Sequence, residues 1–323
     1  MPPRMKGRPV PASGAARAPA YVALHRSGEL ARRAAAAVER LSACDLCPRQ
    51  CRADRIHRSI GAVCRTGARA VVSSFFAHHG EERCLSGTAG SGTIFFGFCN
   101  LHCAYCQNWD LSWNGDGDEV SADELAGMML ALQDRGCHNV NLVSPSHVVP
   151  QLLEAIAVAA GRGLALPLVY NTGGYDGDGA LALLEGVVDV YLADLKYGDS
   201  ETARRLSRAP GYFEVARGAI REMHRQVGDL VIDQDGIARR GLLVRHLVLP
   251  NGLAGTGAAM RFLAEEVSPQ TYVNLMDQYR PCYRAADHAE LARRPTQGEL
   301  DEAVRLARVS GIARFDPGGL GGG

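Results

Sequence analysis

The chain has 323 residues, of which 46% are hydrophobic and 22% are charged, a composition typical of globular proteins. Lysine plus arginine and aspartate plus glutamate each number 35, so the formal net charge is zero. Neither nucleic acid nor an anionic membrane surface is therefore an expected partner. No apolar run is long enough to predict a membrane-spanning helix, and residues 1–20 lack the apolar segment of a secretory signal. We expect a cytoplasmic protein.

The first part of the chain divides into two predicted regions. Residues 1–20 are rich in Pro, Ala, Gly and Arg and are predicted to form a disordered tail. Residues 21–88 are predicted to hold an alanine-rich helix, from Tyr21 to Ser42, followed by a cysteine-rich module. The chain has ten cysteines, which in a cytoplasmic protein indicate metal or redox chemistry rather than a disulfide scaffold.

Four cysteines of this module have the spacing C-x2-C-x3-C-x12-C. They are Cys44, Cys47, Cys51 and Cys64. Four thiolates at these distances would complete a tetrahedral zinc site or ligate an iron–sulfur cluster, and a small loop-rich module gains order from a bound metal. The alternative is a set of reduced thiols without a metal, and the spacing does not distinguish the three. The sequence HHGEE that follows, at residues 78–82, is typical of a solvated turn, with metal ligation as a weaker alternative.

A second group of three cysteines follows a short apolar segment, GTIFFGF, that is predicted to be a buried strand. Cys99, Cys103 and Cys106 lie within eight residues, in the spacing C-x3-C-x2-C. Soft thiolates select zinc, copper(I) or iron–sulfur clusters, and three ligands leave one iron of a [4Fe–4S] cluster open. A structural zinc site and simple core cysteines are the alternatives. Cys137 and Cys282 have no partner at ligand spacing.

Beyond this group, helix and strand patterns alternate. With GTIFFGF as the first, six strands are predicted, and strands that alternate with helices form a parallel sheet. The fold class is therefore α/β, an incomplete (β/α)6 barrel of the TIM type over residues 89–285, preceded by the cysteine-rich module. Residues 286–323 are predicted to form a helix, Gln297 to Val309, and a flexible glycine-rich tail. The other five predicted strands begin at His138, Leu166, Val187, Leu242 and Thr271.

The motif CNLHCAYC, with Tyr105 before its last cysteine, resembles the signature of radical S-adenosylmethionine (SAM) enzymes. The longer stretch from His78 to Ser112 resembles the radical SAM proteins grouped as pyruvate formate-lyase-activating enzymes of the PflX type, and the resemblance covers residues 40–285. It implies a [4Fe–4S] cluster on the three cysteines and an oxidoreductase that cleaves SAM reductively. The resulting 5′-deoxyadenosyl radical abstracts a hydrogen atom. The implied partners are an electron donor such as flavodoxin or ferredoxin and a glycyl-radical enzyme.

The resemblance also assigns cofactor-binding roles to polar residues at the carboxyl ends of the predicted strands, where barrel enzymes place their sites. Lys196 is expected to meet the SAM carboxylate, although an ordinary ion pair with Asp194 is the alternative. Ser144 or His147 would replace the Gly-Gly-Glu segment that many family members carry, while Ser146 could simply cap a helix. No residue is predicted to act as a catalytic acid, base or nucleophile. The predicted cofactor-binding residues are Tyr105, Ser144, Asn171, Asp194, Lys196, Arg245 and Gln278.

Three hypotheses about function follow. The first is an activating enzyme that generates a glycyl radical in a partner protein. The second is a radical SAM enzyme that acts on a small molecule or modifies another protein. The third is a non-catalytic metal-binding or electron-transfer protein. The cysteine motif and Lys196 argue against the third, and the sequence does not separate the first two.

Overall fold

The computed structural model describes residues 18–322. Residues 1–17 of the predicted disordered tail, together with Gly323, lie outside the described residues. The helices are α1 (Ala20–Arg26), α2 (Glu29–Glu39), α3 (Arg83–Ser86), α4 (Ala122–Asp134), α5 (Val149–Gly161), α6 (Asp178–Leu184), α7 (Ser200–Ser207), α8 (Tyr212–Val227), α9 (Thr256–Phe262) and α10 (Gln297–Val309). Short 3-10 turns lie at Arg40–Ala43, Pro250–Gly252, Ala285–Asp287 and Ala289–Leu291, and π-turns at Asp110–Asn114 and Leu263–Val267.

The strands belong almost entirely to one sheet. They are β1 (Ala70–His78), β2 (Ser91–Phe96), β3 (Asp118–Val120), β4 (Val140–Val143), β5 (Leu168–Thr172), β6 (Val190–Asp194), β7 (Val231–Ile232), β8 (Ala238–Leu247), β9 (Tyr272–Met276) and β10 (Arg314–Phe315). Their spatial order is β10-β9-β8-β6-β5-β4-β2-β1-β3, with β7 paired to β8. The six strands from β2 to β9 in this order all pair in parallel. The predicted α/β fold with a parallel sheet is therefore confirmed.

The helices that cover the sheet begin where the sequence carries capping residues. The Ser121 hydroxyl accepts a hydrogen bond from the backbone N–H of Glu124 at the start of α4, and the backbone N–H of Ser121 donates to the Glu124 carboxylate, forming a capping box. Thr296 and Glu299 form the same device at α10. These caps satisfy N–H groups that have no partner within the helix. The predicted helix from Tyr21 to Ser42 is instead divided into α1 and α2 by a turn at residues 27–28, and α2 packs on α5.

The strand β1 was not among the predicted strands. It pairs antiparallel with β2, so its end at His78 lies beside the beginning of β2 at Ser91. The chain then enters the short helix α3, whose Cys84 and Leu85 are buried against side chains of β5, β6, β8 and β9. Because these strand positions lie on the inner face of the sheet near the amino ends of the strands, α3 fills the lower end of the partial barrel. The upper end, at the carboxyl ends of the strands, leaves room for a site.

The predicted flexible tail is ordered as far as the structure describes it, through Gly322. Arg314 and Phe315 form β10 alongside β9, and Leu320 makes an antiparallel bridge to Leu275. The edge of β9 offers unpaired backbone groups, and pairing with them orders a segment whose composition alone predicts flexibility. No helix within residues 18–322 is both long enough and apolar enough to cross a bilayer.

Candidate active site

A cavity of about 530 Å³ opens at the carboxyl ends of the parallel strands. Residues from β2, β4, β5, β6, β8 and β9 all contribute to its wall. Barrel enzymes build their active sites at this end of the sheet. The residues predicted as cofactor-binding or cluster-ligating in the barrel all line this one cavity: Cys99, Cys103, Tyr105, Cys106, Ser144, Asn171, Asp194, Lys196, Arg245 and Gln278.

The loop that carries the three cysteines is held from outside by α7. The backbone N–H of His102 donates to the Ser207 carbonyl at 3.0 Å, and that of Ala104 donates to Leu206 at 2.8 Å. The Ser207 hydroxyl also donates to the Cys103 sulfur at 3.0 Å. The loop is therefore fixed to the end of a helix that follows it by about a hundred residues, which a local sequence pattern cannot reveal.

The three thiols lie close enough to influence one another. Burial raises the pKa of Cys99 to about 12, and the neighbouring thiols of Cys103 and Cys106 act in the same direction. Burial also raises the pKa of Cys103, although the nearby ammonium of Lys196 opposes this rise. A buried thiol becomes a thiolate when a cation binds it. Three such sulfur atoms around one cavity form a soft donor set, which is the kind that iron–sulfur clusters use.

Lys196 and Asp194 form an ion pair in the cavity wall, with the ammonium nitrogen 2.6 Å from Asp194 Oδ2. Burial alone would lower the pKa of Lys196, but Asp194 and the Cys103 sulfur outweigh it and raise the pKa above its ordinary value. The amine therefore stays protonated. Asp194 Oδ1 is buried and has no hydrogen-bond partner among residues 18–322. The ordinary Asp194–Lys196 ion pair, which was the alternative to a SAM-binding role, is therefore present. The second carboxylate oxygen of Asp194 remains available as a hydrogen-bond acceptor.

The loop that follows β5 is fixed against the end of β6 by one tyrosine. The hydroxyl of Tyr212 lies 2.9 Å from the carbonyl oxygens of both Gly173 and Asp194, and it accepts the backbone N–H of Lys196 at 2.9 Å. This single buried group therefore ties together two of the loops that surround the cavity.

Gly174 in that loop has a φ of +76°, and a Cβ added there would lie 2.5 Å from the Asp194 carbonyl oxygen. We expect Gly174→Ala to lower the free energy of unfolding by more than the ~1 kcal/mol that a left-handed alanine costs, because it adds a backbone clash. Urea unfolding measures this. Gly211→Ala is the matched control, because Gly211 also has a positive φ of 60° but nothing within 4 Å. Equal losses in the two variants would contradict the close approach at Gly174.

The lower part of the cavity contains a buried charge network. The Arg245 guanidinium donates to Glu82 at 2.7 Å from Nε and at 2.7 Å from Nη2, and it also bonds Glu81. The amide of Asn274 donates to Glu82 at 2.8 Å. Burial opposes the charge of Glu82, but Arg245 and Asn274 hold its pKa below the ordinary value. The HHGEE sequence therefore contributes its two glutamates to the cavity instead of forming a purely solvated turn.

The structure shows which of several further polar residues near the strand ends face the cavity and which do not. His147 is buried and lies 3.0 Å from the Gly97 carbonyl through its Nε2, and it does not line the cavity. Ser146 does not cap α5, since its hydroxyl pairs with Thr172 at 2.9 Å. Tyr279, the neighbour of Gln278 in the chain, lies in the core and donates to the Leu291 carbonyl at 2.7 Å. As the alternation along β8 predicts, Arg245 faces the cavity, whereas His246 faces away and contacts Leu195 and Thr256.

Sequence analysis missed some residues that line the cavity. Asn274 occupies an inward position of β9 at the same register as Arg245 on β8, and its Oδ1 is buried without a partner among the described residues. A polar residue in the middle of an apolar strand was the available signal. Asp316, Gly318 and Gly319 line the cavity from the ordered tail, and nothing in the local sequence indicated that role.

The four cysteines of the N-terminal module lie apart from the cavity and close to one another. Burial raises the pKa of Cys47 to about 12, and its other influences include the thiols of Cys44, Cys51 and Cys64. Cys44, Cys47 and Cys64 are buried, and all four are free thiols. Arg55 also places Nη1 3.4 Å from the Cys44 sulfur. The four cysteines therefore lie together in one module of the structure.

This module touches the cysteine loop of the barrel through Arg49. Its Nε donates to the Asn100 carbonyl at 2.8 Å, and its Nη1 donates to the Arg208 carbonyl. Asn100 in turn donates to the Tyr175 carbonyl. One arginine between Cys47 and Cys51 therefore contacts the loop between Cys99 and Cys103.

Within residues 18–322 no group of three or more His, Cys, Asp or Glu side chains is arranged so that it could hold a metal ion. The chemistry of the donors around the cavity nevertheless fits a cluster with an open iron and an amino-acid ligand. The residues that could hold the cluster are Cys99, Cys103 and Cys106. Lys196 and the unpartnered oxygen of Asp194 could meet the carboxylate and amino groups of a bound SAM.

The chain matches one known protein family and one curated relative. The model of the Radical SAM superfamily matches residues 93–233. An uncharacterized protein of Methanocaldococcus jannaschii is 33% identical over 272 residues, which cover 82% of this chain and 74% of that relative.

Among solved structures, methylornithine synthase has a TM-score of 0.46 and 15% identity, over 91% of this chain and 80% of that chain. Streptococcus suis SuiB bound to S-adenosylmethionine has a TM-score of 0.44 and 12% identity, over 67% of this chain. The match spans 47% of SuiB, about half its length. The extent and identity of the archaeal relative, together with the family match over the cysteine loop and the strands from β2 to β7, establish that this chain belongs to the radical SAM superfamily.

Proposed function

We propose that this protein cleaves SAM reductively and uses the product radical to abstract a hydrogen atom from a substrate. The observation that carries the proposal is the convergence of Cys99, Cys103 and Cys106 with the Lys196–Asp194 pair around one cavity. These three cysteines would hold a [4Fe–4S] cluster, which would supply the one electron needed to cleave SAM into methionine and a 5′-deoxyadenosyl radical.

The residues of the chain bind and orient the reactants. The protonated Lys196 attracts a carboxylate, and the free oxygen of Asp194 accepts a hydrogen bond from an ammonium group. The backbone around Asn171 and Ser144, at the ends of β5 and β4, offers further polar contacts to the nucleoside part. Helix α3 fills the lower end of the barrel, so fewer routes to the cavity remain for water. Exclusion of water protects a reactive radical.

For the substrate, we propose a glycine Cα–H of a partner protein, so that the enzyme would activate a glycyl-radical enzyme. The support is the resemblance of residues 78–112 to activating enzymes of the PflX type. The test is electron paramagnetic resonance of a candidate glycyl-radical enzyme after anaerobic incubation with this protein, SAM and a reductant. A glycyl signal that requires SAM would support activation. Sustained 5′-deoxyadenosine formation without any such signal would favour a small-molecule or other protein substrate.

We also propose that the four thiols of the N-terminal module bind a second metal centre. Their mutual proximity and the burial of Cys44, Cys47 and Cys64 support it, and the contact of Arg49 with the cysteine loop would let that metal stabilise the loop from outside. Zinc and an iron–sulfur cluster are both compatible with four thiolates.

One experiment tests the enzymatic proposal and the second centre together. The protein is reconstituted anaerobically with iron and sulfide, its iron and zinc are counted, and 5′-deoxyadenosine is measured after addition of dithionite and SAM. About four iron atoms per chain would indicate one cluster, and about eight would indicate two. Zinc alongside about four iron atoms would assign zinc to the module. A loaded cluster that cleaves no SAM would contradict the proposed chemistry.

A further inference from the structure

The charge network in the lower part of the cavity carries more negative than positive charge. Glu81 and Glu82 bring two carboxylates, and both contact the single guanidinium of Arg245. The side chains of Glu81, Glu82 and Arg245 are only 7%, 1% and 16% exposed, so water solvates them poorly. Together they leave one negative charge uncompensated, and a buried charge without a partner is costly.

One carboxylate oxygen of this network is open to a further donor. Arg245 donates to Glu81 Oε2, whereas Glu81 Oε1 has no hydrogen-bond partner among residues 18–322. His78 places Nδ1 3.8 Å from Glu81 Oε1, a distance too long for a hydrogen bond, and that nitrogen is itself buried without a partner in the described chain. Glu81 lines the cavity, so its free oxygen is within reach of a molecule bound there.

The other cations of the cavity wall do not supply the missing charge. Lys196 is paired with Asp194, and Arg83 forms no ion pair with Glu81 or Glu82 within residues 18–322. The charged side chains of the wall are three cations and five carboxylates, namely Arg83, Lys196, Arg245, Glu81, Glu82, Asp194, Asp277 and Asp316. The cavity as a whole therefore favours a positively charged occupant.

Aromatic rings flank Glu81 in the same part of the cavity. His78 and Phe95 both line it, and their rings meet edge to face with centroids 6.2 Å apart. Phe76 is stacked on Phe95 at 5.6 Å between centroids. The faces of aromatic rings attract cations, so these rings and the excess carboxylate favour the same kind of ligand.

We propose that Glu81 binds an ammonium group of the molecule that reacts in the cavity. An alkylammonium ion brings the missing positive charge, several N–H donors and a shape that fits beside aromatic rings. A guanidinium fits less well, because it binds both oxygens of a carboxylate and Arg245 already occupies Glu81 Oε2. This inference rests on the proposed function, which places the reacting molecule in this cavity. The ammonium group would come from a small amine or from a lysine side chain of a protein substrate.

The test measures binding of butylammonium chloride to the reconstituted, unreduced protein by isothermal titration calorimetry, with and without saturating SAM. 1-Butanol is the neutral comparison, and sodium chloride at equal concentration controls for ionic strength. The substitution is Glu81→Gln, which keeps the shape of the side chain and removes the excess charge. The matched control is Asp277→Asn, which removes a carboxylate from an exposed position of the same cavity wall.

We expect the wild type to bind butylammonium about tenfold more tightly than butanol. Glu81→Gln should lose this preference, and Asp277→Asn should keep it. Equal binding of butylammonium and butanol by the wild type, which requires no variant to fold, would overturn the proposal. So would an unchanged preference in Glu81→Gln. Loss of butylammonium binding when SAM is added would also overturn it, because Glu81 would then serve the sulfonium or ammonium group of SAM.

Two capped tripeptides identify the source of the ammonium group. One has lysine between two glycines, and the other has norleucine in place of the lysine. Tighter binding of the lysine peptide than of butylammonium would support a protein substrate, and the reverse order would support a small amine. A protein that cleaves SAM but binds neither ammonium probe would overturn the ammonium site alone. A protein that binds butylammonium but cleaves no SAM after reduction would overturn the proposed function alone.

Discussion

Cys103→Ala should form no detectable 5′-deoxyadenosine from SAM and should retain less iron than the wild type after reconstitution. Cys103 is the central thiol of the loop, it lines the cavity, and its sulfur accepts the Ser207 hydroxyl at 3.0 Å. Alanine removes one of three cluster ligands, and the remaining two thiols cannot hold a cluster that normally takes at least three. Iron analysis, the visible absorption of the cluster and chromatographic detection of the nucleoside measure the result.

The matched control is Cys137→Ala. Cys137 is also buried and free, but it lies beyond the end of α4 and does not line the cavity. We expect this variant to keep the iron content and the SAM cleavage of the wild type. If Cys103→Ala still cleaved SAM at the rate of Cys137→Ala, the assignment of the three-cysteine loop as the cluster site would be wrong.

Arg245→Met is expected to lower the free energy of unfolding by a large amount. The substitution leaves the buried carboxylates of Glu81 and Glu82 without the cation that both of them contact. Breaking a buried ion pair in this way costs about 3–5 kcal/mol in the free energy of unfolding. Urea unfolding measures the difference, and Arg305→Met, at an exposed position on α10, is the control for which little change is expected.

At acidic pH, the difference in the free energy of unfolding between the wild type and Arg245→Met should become smaller. In the wild type the pKa of Glu82 is lowered on folding, so this group stabilises the fold above its ordinary pKa of about 4.3 and loses that contribution as the pH falls. In Arg245→Met, protonation of Glu82 instead neutralises a buried carboxylate that has lost its cation. Adding Glu82→Gln to Arg245→Met should therefore recover part of the stability at neutral pH. An Arg245→Met variant as stable as the wild type would show that the contacts of Arg245 with Glu81 and Glu82 contribute nothing to the free energy of unfolding.

The alternation of helix and strand patterns was sufficient to predict the parallel sheet and the edge of the sheet at which the cavity opens. Polar residues at the ends of different strands converge because parallel strands in register end at the same edge. Asp194 on β6, for instance, lies opposite Arg245 on β8, which in turn lies opposite Asn274 on β9. The pattern gave the position of these side chains but not their hydrogen-bond partners, which depend on the packed structure.

The features that were not predicted are those that depend on distant parts of the chain. β1 is a strand because β2 pairs with it, and the alternation in its sequence is interrupted by a register shift between Val72 and Ser74. The tail is ordered because the backbone N–H of Asp316 donates to Val273 and that of Leu320 donates to Leu275. Residues 316–322 are mostly glycine, so their own composition predicts flexibility, and only the exposed edge of β9 overrides it.

The attachment of the cysteine loop has a consequence for how the protein is made. The loop is fixed by Ser207 from one side, and the N–H of Arg284 donates to the Ala104 carbonyl from another. Both partners are translated long after Cys106 has left the ribosome. A nascent chain therefore carries its cysteines for most of translation without the contacts that hold them together. The proposed cluster would therefore be loaded only after nearly the whole barrel has folded.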